Sequence, residues 1–360
     1  MFFAVYTLLI LLKSFTLVFF CNTDNREREK FGIVSVPHMV NVAVIGAGGG
    51  IGQPLSLLLM LQLPSGSTLS LYDVVGAEGV AADLSHVDRN VHVRWANGKL
   101  PSVPEDPELR RLAKGVDVFV VVAGVPRKPG MSRDDLFNVN AGIVFDVVKT
   151  CATEAPKAAF CIVTNPVNST TPIAAQVLKK LGVYDKNKLF GVSALDVMRA
   201  TKFVNTERQP YNVESVPVVG GHSDITIVPL FSQLPGPALK DTRIAPLTTR
   251  VQDAGTEVVK AKAGKGSATL SMAAAGAWFA LQVVAGLTGA SNPIVYAYVD
   301  TDGASDSEFL AIPVVLGKSG IVQRCDIGKV SAAEQELIKV AKQTVKQNIT
   351  KGVDFAKAKL

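Results

Sequence analysis

Residues 42–52, VAVIGAGGGIG, place a short run of apolar, mostly β-branched residues directly before a cluster of glycines. Such a run is typical of a buried parallel strand, and residues 55–63 then have the composition of a helix. A strand, a glycine turn and a helix in this order can cradle a phosphate, because the helix N-terminus offers free amides and partial positive charge. The glycines fit G-x-x-G-x-x-G through Gly46, Gly49 and Gly52, so the motif alone is also compatible with an ordinary flexible turn.

An acidic residue ends the next strand-like run. Residues 68–72 read as a strand, and Asp73 follows them, 21 positions after Gly52. A carboxylate at this place accepts hydrogen bonds from the ribose hydroxyls of NAD and repels the additional phosphate of NADP. The sequence therefore predicts NAD as the cofactor.

Strand-like and helix-like segments continue to alternate through the first half of the chain. Residues 116–122 and 160–163 read as strands, and residues 135–150 between them read as a helix. This alternation predicts an α/β fold, a Rossmann-type doubly wound parallel sheet followed by an α+β catalytic domain. Ligands of such sheets bind at the carboxyl ends of the strands, where Asn165 is expected.

Two arginines lie six residues apart on a loop rich in glycine and proline, AGVPRKPGMSR at residues 123–133. Arg127 and Arg133 could close over an anion, because the planar guanidinium matches a carboxylate bidentately. The alternative for this pair alone is a solvated surface loop.

The best candidate for an acid–base residue is His222, which follows a strand-like run and the pair Gly220-Gly221. We expect it to accept the proton of a substrate hydroxyl, with Asp196 orienting the imidazole. Asp196 and Arg199 are three residues apart in a segment, LFGVSALDVMR from residue 189, that reads as helical, so they share one helix face. An exposed ion pair within the helix is the alternative for these two residues.

Composition limits the possible classes of function. The 360 residues are 48% hydrophobic and 19% charged, which is typical of a globular protein with a large core. The net charge of +6 comes from scattered basic residues, which favours anionic small molecules over nucleic acid as partners. The four cysteines form no C-x-x-C pair and no Cys/His cluster, so we expect reduced thiols, no disulfide framework and no metal site.

The two ends of the chain carry features of targeting. Residues 1–20 are apolar enough for a membrane span or a signal core, so a membrane association is expected only if they are retained. We expect residues 1–38 to be an extension upstream of a true start at Met39. Asn168-Ser169-Thr170 is a glycosylation sequon, but a glycan there would obstruct the predicted site. The chain ends in Ala358-Lys359-Leu360, a near variant of the Ser-Lys-Leu peroxisomal signal.

From Met39 to about residue 355 the chain resembles the lactate/malate dehydrogenase superfamily, in its mitochondrial and enterobacterial malate-specific form. The motifs are VAVIGAGGGIGQ, LSLYDV, ADLSH, AGVPRKPGMSRDDLFNVNAGI, TNPVNST, VYDKNKLFGVSALDVMRA, VPVVGGHSD and AGTEVVKAKAGKGSATLSMA. The resemblance implies a reversible, NAD-dependent hydride transfer between (S)-malate and oxaloacetate. A lactate-type 2-hydroxyacid dehydrogenase is the nearest alternative, and a non-enzymatic NAD-binding module is a more distant one.

The resemblance also implies roles for individual residues. The proton acceptor is His222, paired with Asp196. The dicarboxylate substrate is bound by Arg127, Arg133, Asn165 and Arg199, and arginine at position 127 selects the second carboxylate. The cofactor is bound by Gly46, Ala47, Gly48, Gly49, Gly50, Ile51, Gly52, Asp73, Asn140, Val163, Thr164, Asn165 and Met272. Gly48 and Asp224 depart from the usual pattern of close relatives, and we expect Gly48 to loosen the turn slightly.

The expected organisation has four parts. They are an N-terminal extension (1–38), an NAD-binding domain (39–183), a catalytic domain (184–355) and a C-terminal targeting tail (356–360). The resemblance implies a homodimer, for which the apolar helices between Ala268 and Leu287 leave room. Several phrases look closest to trypanosomatid glycosomal forms. Together with the C-terminal tripeptide they predict a glycosome or peroxisome-like organelle, with mitochondrion and cytosol as alternatives.

Overall fold

The computed structural model describes residues 39–99, 105–125 and 133–360, apart from the side chains of residues 133–136. The described chain forms one mixed sheet with helices on its faces. Residues 1–38, for which a membrane segment and an upstream extension were predicted, lie outside this part.

The sheet contains eleven strands within the described residues. In chain order they are β1 (Asn41–Ile45), β2 (Thr68–Asp73), β3 (His92–Asn97), β4 (Val118–Val121), β5 (Ala159–Ile162), β6 (Leu189–Gly191), β7 (Val218–Gly220), β8 (Ile227–Pro229), β9 (Ile294–Asp300), β10 (Phe309–Gly317) and β11 (Gly320–Arg324).

Nine α-helices belong to the same part of the chain. They are α1 (Gly52–Gln62), α2 (Ala77–Leu84), α3 (Pro107–Ala113), α4 (Arg133–Glu154), α5 (Val167–Lys180), α6 (Ala194–Glu207), α7 (Asp241–Ala261), α8 (Leu270–Thr288) and α9 (Ala332–Lys359).

The strand order divides the sheet into a parallel and an antiparallel part. The order β3-β2-β1-β4-β5-β6 is entirely parallel, as in a doubly wound nucleotide-binding fold. Strand β6 then pairs with β9 in the antiparallel direction, and β10, β7 and β8 extend the sheet. The carboxyl ends of the parallel strands therefore lie at one edge of the sheet, and the candidate site lies at this edge.

The core follows from the apolar runs that the sequence shows. Strands β1, β4 and β5 are buried almost throughout, because helices cover both faces of a parallel sheet. Helix α8 is long and apolar enough to cross a bilayer, but it packs against α1 and β10 and is largely buried. It is therefore a core helix of this fold.

The helix predicted from Leu189 was wrong in its first residues. The segment from Leu189 was expected to be helical, but Leu189–Gly191 forms strand β6 and the helix begins only at Ala194. Three buried residues pair in register with Phe160–Ile162 of β5, so the tertiary pairing decides their conformation. The apolar stretch expected as several helices after Ala268 is one helix, α8.

Candidate active site

The glycine-rich turn connects the carboxyl end of β1 to helix α1. Gly46 has a φ of +103°, which an L side chain rarely adopts, and a Cβ there would lie 2.6 Å from the backbone nitrogen of Ala123. A Cβ at Gly52 would lie 2.0 Å from the carbonyl oxygen of Gly46. No side chain caps the N-terminus of α1, and no acidic residue lies in its first turn. The backbone N–H groups of residues 46–49 already donate hydrogen bonds within the fold, whereas those of Gly50, Ile51 and Gly52 have no acceptor among the described residues and are available to an anion.

The carboxylate of Asp73 fixes the turn from the end of β2. Its Oδ2 accepts a hydrogen bond from the backbone N–H of Gly48 at 2.8 Å, and its Oδ1 accepts one from Val74 at 2.7 Å. Each carboxylate oxygen has a second lone pair, so ribose hydroxyls can still donate to it. A Cβ at Gly48 would lie 2.3 Å from the carbonyl oxygen of Val75, so a larger residue there would require the turn to shift. The expected loosening of the turn by Gly48 stays a prediction.

A cavity of about 580 Å³ opens beside these groups. It is lined by Gly46, Gly49 and Asp73 and, on the other side, mainly by residues 122–125, which follow β4, and by residues of α4. An uncapped glycine turn, a carboxylate at the end of β2 and an apolar wall fit the pyrophosphate, ribose and adenine of NAD. Of the other predicted cofactor residues, Ala47, Gly50 and Ile51 lie in the same turn, while Met272 is buried on α8, the helix that packs against α1.

Sequence reasoning missed the wall that α4 contributes to this cavity. Each of its members lies three or four residues from another, so they share one face of the helix: Val139, Gly142, Ile143, Asp146, Val147 and Thr150. Apolar residues lie on several sides of this helix, so no local signal in the sequence shows that this face borders the cavity rather than the core.

Asn140 joins the ends of two neighbouring strands. Its Oδ1 accepts from the backbone N–H of Val125 at 2.8 Å, and its Nδ2 donates to the carbonyl oxygen of Asn165 at 2.9 Å. Thr164 adds a hydrogen bond from its hydroxyl to the carbonyl oxygen of Ala123 at 2.7 Å. Val163 is buried directly before it, at the end of β5. The start of the arginine loop and Asn165 are thus held together at the carboxyl edge of the sheet.

Asp196 and His222 form a buried pair. Asp196 lies in the first turn of α6, and His222 follows β7 after the glycine pair. The Nδ1 atom of His222 is 2.6 Å from Oδ2 of Asp196, and the side chains are only 8% and 1% exposed. A carboxylate accepts this hydrogen bond from Nδ1–H, so the lone pair of the ring lies on Nε2. The exposed intrahelical ion pair considered as an alternative for Asp196 is not formed.

Arg199 lies one turn after Asp196 on the same helix and is half-buried. Burial lowers the pKa of its guanidinium, and the nearby carboxylates of Asp196 and Glu257 act in the opposite direction. Within the described residues, no hydrogen bond or close ion pair is formed by this guanidinium. A half-buried cation without a hydrogen-bonding partner favours an anionic ligand.

Two of the predicted substrate residues are not described at the level of their side chains. Arg127 lies outside the described residues. Arg133 begins helix α4 rather than lying within the loop, and its side chain is likewise outside the described part. The structure therefore brings together His222, Asp196 and Arg199, and leaves the two loop arginines to experiment.

Two family models match consecutive parts of the chain. Residues 40–191 match the NAD binding domain of lactate/malate dehydrogenase, and residues 193–356 match its alpha/beta C-terminal domain. The chain belongs to the lactate/malate dehydrogenase family. It is therefore an NAD-dependent oxidoreductase that acts on a small molecule. The expected Rossmann-type fold is confirmed, and the second domain, expected as α+β, matches an alpha/beta family model.

Individual relatives of this lactate/malate dehydrogenase family member agree with that assignment. A protein of Shewanella halifaxensis named malate dehydrogenase is 54% identical over 321 residues, covering 88% of this chain and all of the relative. A malate dehydrogenase of Yersinia enterocolitica is 51% identical with the same coverage. The apo structure of malate dehydrogenase from Picrophilus torridus has a TM-score of 0.75 at 25% identity and covers 90% of this chain and all of that chain.

The predicted glycosomal or peroxisomal location of this dehydrogenase was wrong. The relatives at 51–54% identity are bacterial malate dehydrogenases, which points against such an organelle, whereas the cytosolic alternative is compatible with them. The C-terminal tripeptide also has a structural role. Helix α9 continues to Lys359, whose Nζ lies 2.8 Å from Oδ1 of Asp146 on α4 and packs over the ring of Phe145.

Proposed function

We propose that this protein is a malate dehydrogenase that interconverts (S)-malate and oxaloacetate with NAD. The observation that carries the proposal is the buried pair of His222 and Asp196, with the half-buried guanidinium of Arg199 one helical turn away. The relatives named malate dehydrogenase, at 51–54% identity over 88% of the chain, support it.

The cofactor is held by the glycine turn and its neighbours. The proposed contacts are Gly46 to Gly52 for the pyrophosphate, Asp73 for the adenosine ribose, and Asn140, Val163, Thr164, Asn165 and Met272 for the remainder. When bound, NAD supplies the hydride acceptor. The absence of a capping side chain on α1 supports this placement of the pyrophosphate.

His222 handles the proton of the reaction. Oxidation of malate removes a hydride from the carbon that bears the hydroxyl and a proton from the hydroxyl oxygen, so that a C=O bond forms. The proton moves to Nε2 of His222, which is free because Nδ1 is engaged by Asp196. The carboxylate of Asp196 then lies against the positive charge of the imidazolium. In the reverse direction the same nitrogen returns the proton to the oxygen.

Three arginines are proposed to bind the dicarboxylate. Arg199 holds the carboxylate next to the reacting carbon, Arg133 polarises the carbonyl oxygen, and Arg127 meets the second carboxylate. Asn165 donates a hydrogen bond to the substrate oxygen. Among the described residues Arg199 has no hydrogen-bonding partner, which supports the first of these roles, because a charge in a half-buried site needs a counterion.

The experiment that tests the proposal compares the wild-type protein with His222→Ala and His92→Ala. The wild type should oxidise NADH when oxaloacetate is added. His222→Ala should lower kcat by about 10²–10⁴-fold, the usual loss for a general acid–base residue, while the dissociation constant of NADH stays within about twofold. His92 is exposed on the edge strand β3 and serves as the matched control, with unchanged kcat. Wild-type turnover in His222→Ala would refute the mechanism.

Finer features of the proposal concern assembly and ancestry. A homodimer is proposed, supported by exposed apolar side chains on the adjoining helices α1 and α8, namely Leu57, Leu61 and Trp278.

The boundary between the two domains is proposed between residues 183 and 184. The likeness to trypanosomatid sequences remains a prediction.

A further inference from the structure

Asn168 lies where the nucleotide-binding half meets the loop that carries His222. It is the second residue of helix α5, three positions after Asn165, and only 1% of it is exposed. Its carboxamide is hydrogen-bonded at both ends. The Oδ1 atom accepts from the backbone N–H of His222 at 2.8 Å, and Nδ2 donates to Ser223 Oγ at 3.0 Å and to Asn348 Oδ1 at 3.1 Å.

The loop after β7 closes tightly over this carboxamide. Gly220 has a φ of +99°, and the backbone N–H of Gly221 donates to the carbonyl oxygen of Thr226 at 2.7 Å. A Cβ at Gly221 would lie only 2.7 Å from Nδ2 of Asn168. These close contacts fix the position of the His222 loop against helix α5, and the side-chain amide of Asn168 is the group that the loop packs against.

The imidazole is consequently held from two sides. Asp196 on α6 binds the ring at Nδ1, and Asn168 on α5 binds the main chain of the same residue. If the hydrogen bond to Asp196 were the only contact, the imidazole could rotate about it, and Nε2 would move relative to the substrate. A misplacement of about 1 Å can cost roughly 10²-fold in rate.

We propose that Asn168 is a positioning residue that fixes the main chain of His222 so that Nε2 faces the reacting oxygen. The inference rests on the proposed role of His222 as acid and base. This role of Asn168 is incompatible with a glycan at the Asn168-Ser169-Thr170 sequon, because Nδ2 is buried and attachment would replace a hydrogen that it donates.

The test compares Asn168→Ala with Ser169→Ala. Ser169 is the neighbouring residue, equally buried, and its hydroxyl donates to the carbonyl oxygen of Asn348 at 2.9 Å without contact to His222. Asn168→Ala should lower kcat for oxaloacetate reduction by about 10–100-fold, with KM and the NADH dissociation constant within about threefold. Ser169→Ala should lower Tm but leave kcat unchanged.

A second readout separates positioning from a loss of folded protein. In Asn168→Ala, the primary isotope effect on kcat with NADH deuterated at the transferred position should increase, because hydride transfer becomes slower than product release. A smaller folded fraction would leave that ratio unchanged. An unaltered kcat, or a lowered kcat with an unaltered isotope effect, would overturn the proposal.

If Asn168→Ala does not fold, Asn168→Asp provides the same test. The aspartate keeps an acceptor oxygen toward the N–H of His222 and loses the donor toward Asn348, so kcat should stay within about fivefold of wild type while Tm falls. A loss of more than 100-fold in folded Asn168→Asp would contradict the inference. An active His222→Ala variant would instead remove the proposed function, so the two failures are distinguishable.

Discussion

At Gly48 the glycine turn passes so close to the end of strand β2 that a side chain has no room. A Cβ would lie 2.3 Å from the carbonyl oxygen of Val75 and 3.3 Å from Oδ2 of Asp73. We expect Gly48→Ala to push the turn away from Asp73 and to raise the NADH dissociation constant by about tenfold, measured by fluorescence titration.

Gly79 is the control for this substitution. It lies inside helix α2, and a Cβ there would meet no atom within 4 Å. Gly79→Ala should leave NADH binding unchanged and increase the free energy of unfolding by about 0.5–1 kcal/mol, the usual gain for alanine over glycine in a helix. Equal NADH affinity in both variants would contradict the account of the turn.

Single residues of the site could be predicted from sequence to different extents. The sequence predicts the pairing of His222 with Asp196, and the structure places Nδ1 of His222 2.6 Å from Oδ2 of Asp196. Asn168 was overlooked as a part of the site, because its partners come from the His222 loop and from helix α9. An asparagine whose hydrogen-bond partners are distant in sequence cannot be recognised from its neighbouring residues.

At the scale of elements, helix α9 begins with a carboxylate that ties it to the rest of the fold. Glu334 is 5% exposed and accepts hydrogen bonds from the backbone of Ser232 at 2.9 Å and of Ser331 at 2.8 Å. Burial alone would raise the pKa of Glu334, but the hydrogen bonds from the two serines outweigh it, so the pKa lies below its ordinary value.

Glu334→Gln should therefore destabilise the protein in a manner that depends on pH. A lowered folded-state pKa stabilises the fold at pH values above the unfolded pKa of about 4.3, and this contribution is lost as the pH falls through the folded value. At pH 7 we expect the free energy of unfolding to fall by about 1–3 kcal/mol in urea titrations. At acidic pH, below the folded pKa, the difference from wild type should nearly vanish.

Glu336 on the same helix is the control. It is 70% exposed and forms only a surface pair with Lys339, so Glu336→Gln should change the free energy of unfolding by no more than about 0.5 kcal/mol. A pH-independent loss in Glu334→Gln would mean that the carboxylate does not stabilise this helix start through its charge.

The elements that the sequence predicted well are those with buried, periodic residues. Strand β2 was predicted within one residue, whereas helix α1 begins at Gly52 rather than Leu55, since the glycine turn runs directly into the helix. Strand β6 was mistaken for helix because three residues are too few to show a period.

At the scale of the whole molecule, the junction of the two halves was beyond sequence reasoning. The parallel order was expected, but β6 finds its antiparallel partner β9 more than a hundred residues later, through Gly191 and Tyr298. Such a pairing depends on which edge strands of the sheet still lack a partner, and no local sequence motif indicates this.

The proposed homodimer is also a property of the whole molecule. Leu57 and Leu61 on α1 are 41% and 45% exposed. The variant Leu57→Glu/Leu61→Glu should sediment as a monomer, while the wild type sediments at about twice the monomer mass, because charges on an apolar interface disfavour its burial. Val340→Glu, at a similarly exposed position on α9, should keep the wild-type mass. A monomeric wild type would contradict the proposal.

The central claim is that an acid–base histidine acts on a substrate whose second carboxylate is selected by Arg127. The most direct measurement is the ratio of kcat/KM for oxaloacetate to kcat/KM for pyruvate, by NADH oxidation, in the wild type and in Arg127→Gln. The wild-type ratio should be on the order of 10⁴, since a site built to pair a charge rejects the analogue that leaves it unpaired, and Arg127→Gln should lower that ratio by at least about 100-fold. Comparable use of both keto acids by the wild type, or a ratio unchanged by Arg127→Gln, would contradict the account.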